Sequence, residues 1–192
     1  AQGINVAGTP CVLLMQMPLP RSLQAEGAED SFIRTLSQMQ DDLRRDYVTG
    51  VYNAVYLNEQ YRPIAERAAM SGTPVGVVMV RVNEYWQLRE HESDSAANCC
   101  LNMAAGILQL AVGPDHDKAV LARLNDGFFA IVTIGTPAAR MAQTVREAMN
   151  DSRREFNISL SRRGSFTVEI ASAEWGETAS WDMTLSLAQQ RL

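Results

Sequence analysis

With 192 residues, 46% of them hydrophobic, the chain can bury a full core in one domain and have residues to spare. A formal net charge of −5 and a pI near 5.1 argue against a general nucleic-acid binder, which needs clustered Lys and Arg; no nucleic-acid partner is expected. Three cysteines, two of them adjacent at Cys99 and Cys100, make neither a disulfide framework nor a metal-ligand spacing, which points to a reducing, cytoplasmic compartment.

The apolar run Cys11–Met17 is too short to span a bilayer and has no basic lead-in or cleavage pattern, so no membrane contact is expected from this chain itself. Residues Ile4–Met17 alternate as a strand, a Gly-Thr-Pro turn and another strand, and the chain opens at Ala1 without an initiator Met. Residues 1–28 are therefore expected to be the tail of an upstream domain of a longer protein or a linker, and Pro18, Pro20 and the polar run Gln24–Glu29 read as linker sequence. Asp30 or Ser31 is the expected cap of a helix over 29–45, in which Phe32, Leu36, Met39 and Leu43 recur at spacings of four, three and four. That pattern is either a coiled-coil seam or the apolar face of an ordinary amphipathic helix packed on its own domain.

A domain over 46–192 is expected to follow. In Asp46-Tyr47-Val48-Thr49-Gly50-Val51-Tyr52-Asn53, Thr49 and Gly50 suit a turn and Asn53 suits the cap of the next helix. That helix, Ala54–Met70, presents Leu57, Tyr61, Ile64 and Ala68 on one face, with Pro63 expected to kink or split it. Val75–Val82 is an apolar run of strand length, which predicts a central strand buried on both faces. Ala96, Cys100, Met103, Ala104, Ile107 and Leu108 then recur at helical spacing up to Gly113-Pro114. Cys99 and Cys100 point about 100° apart on such a helix, which favours a core thiol over a ligand pair.

Lys118–Ile134 consists of two apolar runs pinched around Asn125-Asp126-Gly127, residues that tolerate positive φ, and reads as a tight β-hairpin. Thr136-Pro137 opens a helix with Met141, Val145 and Met149 on its face. Phe156, Ile158 and Leu160 alternate against Phe166, Val168 and Ile170 as a second hairpin, and a last helix, Thr178–Leu192, presents Trp181, Leu185, Ala188 and Leu192. Strand, helix, strand, strand, helix, strand is the order of an α+β, ferredoxin-like (split βαβ) antiparallel sheet with flanking helices.

Two of these stretches resemble the GGDEF family, the bacterial diguanylate cyclases that condense two GTP into cyclic di-GMP. The family opens with Asp, any residue, Leu, Thr, Gly, Leu, a variable residue and Asn; Asp46, Thr49, Gly50 and Asn53 match, and Val48 and Val51 replace Leu. Its signature hairpin reads Arg, any residue, Gly, Gly, Asp or Glu, Glu, Phe; Arg123 and Asn125-Asp126-Gly127-Phe128-Phe129 take those places. The resemblance implies the same ferredoxin-like, nucleotidyl-cyclase-like fold.

It also implies a two-metal site, in which carboxylates hold divalent ions beside the reacting phosphate. The family takes these from an Asp-Ile-Asp pattern at the end of the central strand and from the acidic pair of the signature. Arg81 and Asn83 stand at the first two positions, and Gly127 and Phe128 at the acidic pair. A unit positive charge about 4 Å from a divalent ion repels it by roughly 8 kcal/mol at an effective dielectric of 20. The expectation is a degenerate domain with no catalytic residues, no metal, no cofactor and no enzyme activity. The family's guanine-reading positions correspond to Arg89 and Asn98, and those of its inhibitory product site to His116 and Ala119. Asp115, His116 and Asp117 read as a solvated loop, and Arg153-Arg154 with Arg162-Arg163 as a solvated hairpin face rather than a basic patch. The expected role is an interaction or dimerisation module with a protein partner or a second copy. The alternative is a receptor for GTP or cyclic di-GMP that uses Arg89, Asn98 and Arg123.

Overall fold

The computed structural model describes residues 2–6, 9–13, 28–114, 118–156, 166–178 and 180–192. It divides into two units, Ala1–Asp41 and Asp42–Leu192. In the first, β1 (Gln2–Val6) pairs antiparallel with β2 (Thr9–Leu13), so the two expected strands are present, while Thr9 and Pro10 of the expected turn belong to β2. Helix α1 (Ala28–Arg44) starts ahead of the expected cap, and Asp30 lies within its first turn. Ala28 and Glu29 are good helix formers, and acidic side chains favour a helix N-terminus, which extends the helix past Asp30. Phe32, Leu36 and Met39 on this helix are exposed.

The second unit is built on a five-stranded sheet. After α1 come β3 (Tyr52–Asn53), α2 (Ala54–Tyr56), a π-helical turn (Leu57–Tyr61) and α3 (Arg62–Met70). The chain continues through β4 (Val75–Val82), α4 (Tyr85–His91), α5 (Asp94–Val112), β5 (Ala119–Asn125) and β6 (Phe128–Ile134). It ends with α6 (Ala138–Phe156), β7 (Val168–Glu174), α7 (Trp175–Thr178) and α8 (Trp181–Gln190). The sheet order is β3-β5-β6-β4-β7. The pairs β5–β6, β6–β4 and β4–β7 are antiparallel, as expected, and short β3 adds a parallel edge beside β5.

Strand β4 lies between two neighbours, and its period of two divides the core. Val78, Val80 and Val82 join Phe129, Ile131 and the buried faces of α5 and α6. Val75, Val77 and Met79 join Val132, Leu57, Tyr61, Ala65, Trp181 and Ala188 on the other face. Every backbone polar group of such a strand is paired while both rows of side chains leave water, which is why the run is apolar throughout.

Several helical faces differ from the sequence reading. Pro63 has no N–H to donate, and just before it the Arg62 N–H bonds the Leu57 carbonyl five residues back. The extra residue in that turn brings Leu57, Tyr61 and Ala65 inward and leaves Ile64 exposed. On α5 the buried stripe includes Ala97 and Leu101 in place of Ala96 and Met103. Cys100 is buried, which pushes its thiol up to about 12, whereas Cys99 is exposed. Helix α5 is long and apolar enough to cross a membrane, but its apolar side packs in the core of this unit. Phe156, expected to open a strand, instead ends α6, which also carries Arg153 and Arg154, because the helix started at Ala138 runs on through this polar stretch; the rest of the expected strand, residues 157–160, the loop Asp115–Asp117 with His116, and Arg162 and Arg163 lie outside the described residues.

Gly76 sets the distance between β4 and α6. A Cβ there would sit 2.5 Å from the Ala138 Cβ and 3.2 Å from the Ala173 carbonyl oxygen. Gly76→Ala is expected to cost about 1–3 kcal/mol through overpacking, read from the urea midpoint.

Candidate functional site

The turn that opens the second unit and the β5–β6 hairpin are joined by one largely buried ion pair. Gly50 adopts φ +69, and the Asp46 carboxylate accepts from the Thr49 N–H at 2.9 Å and the Thr49 hydroxyl at 2.7 Å. Arg123 Nη1 reaches both Asp46 oxygens, at 3.1 and 3.2 Å, with the two side chains only 11% and 16% exposed. The rest of the Arg123 guanidinium donates to the Asp126 carbonyl, 3.1 Å from Nε and 3.0 Å from Nη2. Burial alone would raise the Asp46 pKa, but the bonds from Thr49 and Arg123 outweigh it and hold the carboxyl below its ordinary value. Asn53 caps α2 through the Tyr56 N–H and donates to the Leu43 and Arg45 carbonyls where α1 ends.

The hairpin tip differs from a turn with three residues at positive φ: of Asn125, Asp126 and Gly127, only Asp126 is there, at +40. A register shift between Arg123 and Asn125 accommodates it. Gly127 is needed for closeness instead, since a Cβ there would stand 2.9 Å from the Val82 carbonyl oxygen and 3.0 Å from the Tyr85 Cβ.

At this end of the sheet, Phe128, Arg81 and Glu169 form a row across β6, β4 and β7. Arg81 Nη2 pairs with Glu169, and its Nε donates to Asn83 Oδ1 at 3.3 Å. Asn83 Nδ2 donates to the Thr167 hydroxyl at 3.1 Å, and Glu84 accepts from the Thr167 N–H and hydroxyl, each at 2.7 Å. Phe128 packs against the Trp181 side of the core. A guanidinium, an amide, a glycine and a phenyl ring are not a donor set for a divalent cation, and the neighbouring carboxylates Glu169 and Glu84 already hold Arg81 and Thr167. Among the described residues, no group of three or more His, Cys, Asp or Glu side chains is placed to hold a metal ion.

Arg89, at the end of α4, donates Nε to Asp94 at 3.1 Å and lies 4.0 Å from an Asp126 oxygen. It also stacks over the half-exposed Trp86 ring, 5.5 Å from the centroid. Asn98 stands one helical turn after Asp94 on α5, half-buried. The structure thus brings Arg89 to the hairpin tip and the start of α5. Arg123, which the receptor alternative gives to a nucleotide, is bonded to Asp46 and the Asp126 carbonyl, because a largely buried guanidinium must find acceptors. Ala119 is buried within β5. Sequence reading missed Glu169 and Thr167. The charge of Arg81 asks for a counter-charge, but its partner stands 88 positions away and is identified only by strand pairing.

A family model described as diguanylate cyclase, GGDEF domain, matches residues 43–192. Among solved structures, the coiled coil and GGDEF domain of DgcB from Caulobacter crescentus, in complex with c-di-GMP, matches at TM-score 0.73 and 17% identity, over 88% of this chain and 89% of that one. The GGDEF domain of FimX from Pseudomonas aeruginosa matches at TM-score 0.64 and 22% identity, over 77% and 90%. Diguanylate cyclase SiaD in complex with its activator SiaC, also from P. aeruginosa, matches at TM-score 0.66 and 18% identity, over 85% and 62%. At these identities the structures speak for the fold alone. The family match overturns the expectation that the chain is not an enzyme: it points to a family of cyclases, and replaced side chains at four positions do not demonstrate lost turnover. With the match spanning most of the chain and the fold agreeing, the protein belongs to the GGDEF family.

Proposed function

We propose that this GGDEF domain works as a regulatory and interaction module of a cyclic di-GMP signalling protein and associates with a second copy of itself through α1. The observation that carries this reading is the stripe Phe32, Leu36, Met39 and Leu43, spaced four, three and four, each at least 40% exposed on a 17-residue helix. Exposed apolar side chains at that spacing lose water when two such helices pack. Two structural neighbours support it by analogy: one carries a coiled coil, the other is held by an activator protein. In this reading Arg81, Asn83, Gly127 and Phe128 hold the end of the sheet together.

The chain is expected to sediment as a dimer at micromolar concentration, and the Leu36→Asp, Met39→Asp double variant as a monomer with an unchanged circular dichroism spectrum. A monomeric unsubstituted chain would sink the reading. Product chromatography of the same samples with GTP and magnesium measures turnover directly.

A second reading, a receptor for GTP or cyclic di-GMP, is favoured by the placement of Arg89 beside Trp86 at the hairpin tip and of Asn98 on the adjacent helix. Titration calorimetry that detects no heat with either ligand at millimolar concentration removes it.

A further inference from the structure

We propose that Arg81 binds the phosphate groups of a polyphosphate ligand directly, without a bridging metal ion, and that Glu169 is an internal anion competing for the same guanidinium. The proposal rests on the receptor reading of this end of the sheet. It starts from the mismatch at the end of β4, where the fold family implies a divalent cation and this chain supplies a guanidinium.

Arg81 and Glu169 face each other across β4 and β7 with side chains 40% and 41% exposed. An ion pair so open to water is weakly held, because solvent screens it and both side chains give up rotamer freedom to form it. A phosphate chain carries more charge than one carboxylate, and its oxygens match the forked donors of a guanidinium. Asn83 steadies the Arg81 Nε, so the group is already oriented. The other acidic groups at this end of the sheet are engaged: Glu84 by the two donors of Thr167, and Asp126 by the proximity of Arg89. Phe128 on the opposite side of Arg81 brings no competing charge. An anion that displaces Glu169 would therefore meet one oriented cation, with Glu169 itself as the carboxylate it has to outcompete.

The test is calorimetric titration of the full chain with GTP, inorganic pyrophosphate and guanosine, in EDTA and again in magnesium. GTP and pyrophosphate are expected to bind in EDTA and guanosine to bind far more weakly. Tighter binding of GTP than of pyrophosphate assigns the ligand to nucleotides, and equal binding to free polyphosphate; either supports the proposal. Arg81→Gln is expected to weaken binding by about tenfold or more, and Glu169→Gln, which leaves Arg81 in place, to tighten it by about threefold or more. Binding that requires magnesium, that persists in Arg81→Gln, or that fails to tighten in Glu169→Gln overturns the proposal and leaves the receptor reading standing. Silence with GTP, pyrophosphate and guanosine overturns the proposal, and the receptor reading falls with it when cyclic di-GMP, titrated on the same samples, gives no heat either.

Discussion

Arg123→Ala is expected to destabilise the chain by about 3 kcal/mol, because removing one member of a largely buried ion pair strands the other. Asp46 would keep its two bonds from Thr49 but lose both contacts to the guanidinium, and the Asp126 carbonyl would lose two donors at once. Denaturant titration reads the loss as a lower midpoint. The double variant Asp46→Ala, Arg123→Ala should cost less than the sum of the single changes, since the second removes a charge the first left unpaired. Additive costs would refute the pairing.

The same pair sets a pH dependence. The folded-state pKa of Asp46 lies below its ordinary value near 3.8, so the folded protein binds fewer protons there than the unfolded chain does. Its stabilisation is fully present above that ordinary value and is lost as pH falls through the lower folded value. The acid unfolding of Asp46→Asn should accordingly be less steep below about pH 4.

Trp181→Ala should cost about 4 kcal/mol, at the upper end for a core truncation. The Trp181 ring is 1% exposed, belongs to the core face that contains Val77, Met79 and Val132, and donates its indole N–H to Asn58 Oδ1 at 3.1 Å. Truncation leaves a cavity and removes the donor that ties α8 to the π-helical turn before α3. Trp181→Phe keeps most of the area and loses the bond, so roughly 1–2 kcal/mol is expected. Met183→Ala, two residues on and 59% exposed, should move the midpoint by no more than about 0.5 kcal/mol. Equal losses for Trp181→Ala and Met183→Ala would contradict the assignment of this helix face.

The hairpin, the central strand and the Asn53 cap depend on contacts within a few residues, and each was legible: Asp126 at positive φ, an unbroken apolar run, an amide at a helix start. The face of α3 was not, because the widened turn ahead of Pro63 shifts the helical phase by one residue and exchanges Ile64 for Ala65.

The candidate site divides along the same line. That Arg81, Asn83, Gly127 and Phe128 bring no carboxylate is a property of residue identity and needs no structure. What their neighbours do with them is decided by register: Arg81 meets Glu169, Asn83 meets Thr167, and nearby Arg123 pairs with Asp46, 77 positions earlier. Local backbone preference and the period of apolar residues act over one turn or one strand, so they are written in order along the chain. Which charge neutralises which, and which face of a helix is buried, depends on strands brought side by side after folding, and only the assembled sheet settles them.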